Sequence, residues 1–176
     1  MANKNGFTLV ELLVVVAVIS ITMSIGLPSF QSTIASTRLT SAANAMVSAL
    51  QLAKMEAIKQ RKPVVVIKKT TWENGWDVFV DTNSNGTQDS LTEPTIATFD
   101  ALSSTITVPV GTGKTTSSYS TSVKYKSTGR FGSANGHFLF CSAATKDFRV
   151  VATETSGRIH VETASNSTKT YDTECI

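Results

Sequence analysis

Gly6-Phe7-Thr8-Leu9-Val10-Glu11-Leu12-Leu13-Val14-Val15-Val16-Ala17-Val18-Ile19 is the stretch on which the reading of this chain turns. A short polar leader, Met1 to Gly6, carries one cation, Lys4. A nearly unbroken apolar run follows from Phe7 to Leu27, and its one charged residue is Glu11. A run of about 20 residues is the length of a helix that crosses a bilayer's hydrocarbon core. A carboxylate inside such a segment is costly and by default marks a functional site. A secretory signal peptide would place small residues at a cleavage site after the apolar run. Ser24-Ile25-Gly26-Leu27-Pro28 matches that pattern poorly, and the run is longer than an ordinary signal core. An uncleaved N-terminal anchor is the remaining plain alternative.

Working outward, the apolar pattern continues as one long helix from Phe7 to about Arg61. Its first half is apolar all round, and Gly26 and Pro28 are positioned to bend it. Beyond Pro28 the pattern becomes a stripe. Leu39, Ala42 or Ala43, Met46, Leu50, Ala53 and Ala57 recur at steps of three and four, with Arg38, Ser41, Asn44, Ser48, Gln51 and Lys59 on other faces. Pro63 ends the helix.

From Pro63 the period changes to that of strands. Val64 to Ile67 is a β-branched run, and Trp76 to Asp81 alternates between the turn signals Asn74-Gly75 and Asn83 to Gly86. Thr95 to Phe99, Ile106 to Val110 and Val123 to Tyr125 are further strands. His137 to Cys141 and Phe148 to Ala152 form a hairpin pair, and Ile159 to Glu162 closes the sheet. Gly111 to Ser122 reads as a loop, Gly129-Arg130-Phe131-Gly132 as a turn, and Asn166 to Ile176 as a polar tail. The expected architecture is α+β: a long N-terminal helix packed through its second half on an antiparallel β-sheet domain. No internal repeat and no second domain stand out.

The chain has 176 residues and a formal net charge of +3, too little to argue for nucleic-acid binding by bulk charge. Charged residues are sparse at 16%, and Ser and Thr are abundant, which suits an exported β-rich surface. The two cysteines, Cys141 and Cys175, read as one disulfide in an exported domain, pinning a tail that otherwise frays. Two free thiols are the alternative.

The segment Gly6-Phe7-Thr8-Leu9-Val10-Glu11 resembles the cleavage and methylation motif of type IV pilins and of the pseudopilins of type II secretion. The resemblance implies that a prepilin peptidase cuts between Gly6 and Phe7 and methylates the new amine of Phe7. It makes Glu11 the assembly residue, with a neighbouring subunit's Phe7 amine as countercharge, and Pro28 the helix-bending proline. Trp72 to Gly86 and Ser156-Gly157-Arg158-Ile159 narrow the likeness to GspH/FimT-type minor pilins and pseudopilins. The implied organisation is a leader at 1–6, a transmembrane and assembly helix at 7–28, its amphipathic half at 29–62 and a periplasmic or extracellular β-rich domain at 63–176. The implied function is a minor pilin of a type IV pilus, primed in the inner membrane with its N-terminus cytoplasmic and then placed in the fibre or its tip. Its partners would be other minor pilins and the major pilin. A DNA-binding minor pilin and a minor pseudopilin of type II secretion are the alternatives.

Three constellations bear on chemistry. Asp81-x-Asn83-x-Asn85-Gly86 with Asp89 begins like a calcium loop, but the twelfth position is Thr92 and the nearest carboxylate, Glu93, comes one residue late. An Asn-Gly turn with Asx bonds accounts for it as well, and better. His137 and His160 are too few for a metal cluster, and no nucleophile elbow, phosphate loop or carboxylate pair is present, so neither an enzyme nor a cofactor is expected. Gly157-Arg158-Ile159-His160 matches the Gly-Arg-x-Arg turn of DNA-binding members of the resembled family, with His160 where the second arginine stands. A neutral imidazole grips phosphate poorly beside a bidentate guanidinium, so the reading here is a turn with one solvated arginine.

Overall fold

The structure, a computed structural model, describes residues 7–89, 92–110, 119–132, 135–163 and 175, excepting the side chains of 25–29. The leader, the Gly111 loop up to residue 118 and the tail apart from Cys175 lie outside these residues, as does the side chain of Pro28. The order of elements is α1 (Leu9–Gln60), β1 (Val64–Lys68), β2 (Trp76–Val80), β3 (Thr95–Phe99), β4 (Ile106–Thr107), β5 (Ser122–Tyr125), β6 (Gly136–Ser142), β7 (Phe148–Thr153) and β8 (Ile159–Thr163). The chain divides into two compact units, Met1–Ile34 and Ala35–Ile176.

In the first unit α1 starts where Thr8 stands as N-cap. The large apolar side chains from Leu9 to Met23 are all exposed. Among the described residues no helix is long and apolar enough to cross a membrane.

In the second unit α1 buries one stripe: Ala35, Leu39, Ala42, Ala43, Met46, Ala49, Leu50, Ala53 and Ala57. The many alanines let the helix lie close to the strands, and each large residue among them contributes about 1.5–3 kcal/mol on burial. The helix ends at Arg61, whose φ of 53° is left-handed, the usual way a helix hands its last carbonyls to the following turn. Pro63 then admits β1.

The strands form two sheets, where a single sheet was expected. One has the order β3-β2-β1-β5 and the other β4-β6-β7-β8, and all their pairs are antiparallel. Alternation fixes which residues face inward, but it does not choose a strand's partner. Here β1 pairs with both β2 and the distant β5. The chain enters the second sheet at β4, returns to the first for β5, and crosses back through the turn after it, where Tyr125 bridges Phe131.

The two inner faces and the helix stripe share one core. Val64, Val66, Trp76, Val78, Val80, Val123 and Tyr125 come from the first sheet, and Phe138, Phe140 and Val151 from the second. Trp72 packs edge-on against Phe138 with centroids 4.9 Å apart, and its indole N–H donates to the Tyr119 carbonyl at 2.7 Å. Because side chains alternate along β6, Leu139 and Cys141 face the other way. With Phe148, Val150 and Cys175 they form a second, smaller buried cluster.

Candidate functional site

At the N-terminus the carboxylate is held by its own helix. Glu11 Oε2 accepts the Thr8 backbone N–H at 3.0 Å and the Thr8 hydroxyl at 2.9 Å, while the Glu11 N–H donates to Thr8 Oγ1 at 3.3 Å. This is a reciprocal capping box, Thr-x-x-Glu, at the positive end of the helix. The sequence signal for it, Thr8 three residues before Glu11, is present, but its reading as a family motif hid the local role. Phe7, just ahead of the cap, is 79% exposed.

The loop after β2 is closed by a lysine. Asp81 is fully buried, and Lys124 Nζ on β5 lies 2.6 Å from its Oδ2. The same ammonium donates to the Ser84 carbonyl at 3.1 Å, and the Gly86 N–H donates to Asp81 Oδ2. Asn83 and Asn85 use their carbonyl oxygens in Asx turns, accepting the N–H groups of Asn85 and Thr87, while both amide nitrogens donate to Asp89 Oδ2. Glu93 accepts the N–H groups of Thr82, Asn83 and Asp89. These hydrogen bonds, the Asp89 N–H first, hold its carboxyl below the usual carboxylate range against the opposing effect of burial. The Lys124 ammonium thus sits on Asp81 Oδ2 and two side-chain amides on Asp89 Oδ2, while the buried Asp81 Oδ1 has no hydrogen-bond partner among the described residues. Among the described residues no group of three or more His, Cys, Asp and Glu is arranged to hold a metal ion.

The turn from Glu154 to Arg158, after β7, is built on a glycine contact. Gly157 has φ of 82°, and a Cβ placed on it would lie 2.2 Å from the Gly129 carbonyl oxygen. Lys54 of α1 donates its ammonium to the Gly157 carbonyl at 2.9 Å. Arg158 is exposed. His160 is not beside another cation. Its Nε2 lies 3.3 Å from Glu162 Oε1 and its Nδ1 3.9 Å from Glu154 Oε1. The registers put His137, Ala152 and His160 in one row across β6, β7 and β8. That row, with Asn135, Glu154 and Glu162, lines a pocket of about 190 Å³. At the far end of this sheet Cys141 and Cys175 form a disulfide, with Cα atoms 5.2 Å apart.

A family model for a prokaryotic N-terminal methylation motif matches residues 1–27. A model for the type II transport protein GspH matches residues 42–158, more than half of the chain. The chain belongs to the GspH family. Over 65 residues it is 43% identical to a fimbrial protein of Pseudomonas aeruginosa, a match covering 37% of this chain and 42% of that one. The chain thus spans less than half the length of that relative. Two crystal structures of the type IV minor pilin FimU from Pseudomonas aeruginosa share its fold. One aligns with a TM-score of 0.60 at 20% identity over 77% of this chain and 96% of that one. The other aligns with a TM-score of 0.56 at 21% identity over 76% and 99%. The fold is that of type IV pilins, and the GspH family and this fold are those of structural pilins and pseudopilins.

In this GspH-family chain the expected residues fall in separate places. Glu11 and Phe7 stand at the start of α1, the Asp81 loop at one end of the first sheet, and Arg158 and His160 on the second. Sequence reasoning missed Lys124 as the partner of Asp81 and the His137–Ala152–His160 row. Both depend on strand registers that no local pattern displays.

Proposed function

We propose that this chain is a minor pilin of a type IV pilus, cut after Gly6, methylated on Phe7 and held in the inner membrane before assembly. Its N-terminus is then cytoplasmic and its β-rich domain periplasmic. It primes assembly with other minor pilins and the major pilin, and resides in the tip of the fibre. It works as a structural subunit and not as an enzyme. The observation that carries this reading is the helix from Leu9 to Met23, whose apolar side chains lie uncovered around one carboxylate. Such a surface requires lipid or the same helix of other subunits, since exposed apolar area of this extent is unfavourable in water. The methylation-motif match and the likeness to a fimbrial protein and to a minor pilin support the same reading.

The test is mass spectrometry of sheared surface fibres from the native organism. The expected result is a peptide that begins at methylated Phe7, together with loss of fibres when the gene is deleted. A chain still beginning at Met1 in those fibres would sink the maturation step.

The name of the matching family favours a second reading, a minor pseudopilin of type II secretion. In that case deletion abolishes release of folded exoproteins and leaves surface fibres intact. The DNA-capturing reading is weaker, because the position of the second arginine holds His160 between two glutamates.

A further inference from the structure

The contact between Gly129 and Gly157 joins two turns, each carrying exposed cations. Lys126, Arg130 and Arg158 are all exposed, and none of them forms an ion pair among the described residues. The turn from Lys126 to Arg130 is closed by the Gly129 N–H on the Lys126 carbonyl, and the turn from Glu154 to Arg158 by the Gly157 N–H on the Glu154 carbonyl. Lys54 lies under both. Its Cε would be 3.6 Å from a Cβ at Gly129 and 3.4 Å from one at Gly157. Ile58, one turn further along α1, packs on Gly129, and a Cβ there would lie 2.6 Å from Ile58 Cδ1. Ile58 nevertheless remains 50% exposed, and Met55 beside it on the helix 60%. The one carboxylate of the two turns, Glu154, faces Ser156 and His160.

We infer that Met55, Ile58, Lys126, Arg130 and Arg158 form a docking surface for an acidic, aliphatic-bearing face of a neighbouring pilin subunit. The inference rests on the reading of this chain as a fibre subunit. Charge complementarity selects the occupant: three cations without ion pairs among the described residues flank the turns on which Ile58 packs, so the partner supplies carboxylates around an apolar side chain. Composition separates this from a nucleic-acid face. Met and Arg are enriched in protein interfaces, whereas nucleic-acid interfaces are more polar and much more positive. The glycines are what allow the arrangement. A side chain at 157 would push the two turns apart and separate Arg158 from Arg130.

The test is photo-crosslinking in native membranes with p-benzoylphenylalanine replacing Met55, and with Thr98 on β3 as the control position. The expected result is an adduct from position 55 alone, to a pilin-type subunit, through a peptide containing Asp or Glu. Like charges placed opposite one another cost several kcal/mol. The triple variant Lys126→Glu, Arg130→Glu, Arg158→Glu therefore loses about tenfold or more of the adduct. Thiol labelling and circular dichroism of that variant show that it still folds. Equal adducts from 55 and 98, or an adduct indifferent to charge reversal, overturn the docking surface. Incorporation into fibres without any adduct does the same while leaving the fibre reading intact. A charge-dependent adduct to an acidic protein that is not a pilin supports the surface and overturns the fibre reading. Micromolar binding of a short DNA duplex, lost in the triple variant, overturns the inference in favour of a nucleic-acid face.

Discussion

Lys124 and Asp81, 43 residues apart in sequence, meet at 2.6 Å across the first sheet, and the ammonium stands where a loop of this composition would hold a cation. The carboxylate is fully buried and the lysine only partly so. Removing the lysine leaves a buried charge without its partner, which is worse than removing both. Lys124→Met should therefore destabilise the domain by up to about 3 kcal/mol, the low end of the range for buried pairs because Lys124 keeps some contact with solvent. The double variant Lys124→Met, Asp81→Asn should recover part of the loss. Urea unfolding of the full chain in detergent measures both. A single variant as stable as the parent would refute the role of the pair. Added calcium should leave the unfolding midpoint of the parent unchanged.

Glu93 gives a pH signature. Its folded-state pKa is depressed below the ordinary 4.5, chiefly by the Asp89 N–H. A depressed carboxyl contributes stability that is present above its unfolded value and is lost as pH falls through the folded one. The parent should thus lose stability below about pH 4.5 more steeply than Glu93→Gln, which cannot titrate. At neutral pH the variant should be the less stable of the two. Midpoints that run parallel from neutral to acid would show that Glu93 is not the group responsible.

The disulfide spans 34 positions. In the chain-entropy model a loop of that size stabilises by about 3–4 kcal/mol. Cys141→Ser with Cys175→Ser should lower the melting temperature and raise binding of an apolar dye, because Cys175 also helps bury Leu139, Phe148 and Val150. Unchanged dye binding would mean that the small cluster stays closed without it.

Glu11 can be tested for two roles at once. Glu11→Ala removes both cap and charge, whereas Glu11→Gln keeps an acceptor for the Thr8 N–H and removes only the charge. If a countercharge orders assembly, both variants insert and fold but fail to enter fibres. If the cap is what assembly needs, the glutamine variant assembles and Thr8→Ala does not. We expect the first pattern, read by immunoblotting sheared fibres.

The helix and the strands were legible because their signals are local. The spacing from Leu39 to Ala57 is a helix stripe, and the β-branched run at Val64 sits in a strand. The division into two sheets was not legible, since whether β1 takes β5 or β6 as neighbour depends on long-range pairings that no local pattern displays. For the same reason Lys124 could not be matched to Asp81, nor His137 to His160. Strand ends were blurred at Ile106, where the expected run to Val110 is a continuous strand only through Thr107, with an isolated bridge at Val110. The capping box is a different case: Thr8 and Glu11 are three residues apart and could have been read directly.

The placement of β1 bears on how the molecule carries load. This strand follows α1 after only three residues and lies inside its sheet, with five pairs to β2 on one side and four to β5 on the other. A pull on the second half of α1 reaches the sheets through its buried stripe and, by covalent connection, through Val64. The hydrogen bonds on both flanks then resist sliding together, instead of parting one at a time as they would at an edge. Were the chain proposed above as a fibre subunit to be pulled through its helix, the load would meet a strand bonded on both flanks and not a sheet edge.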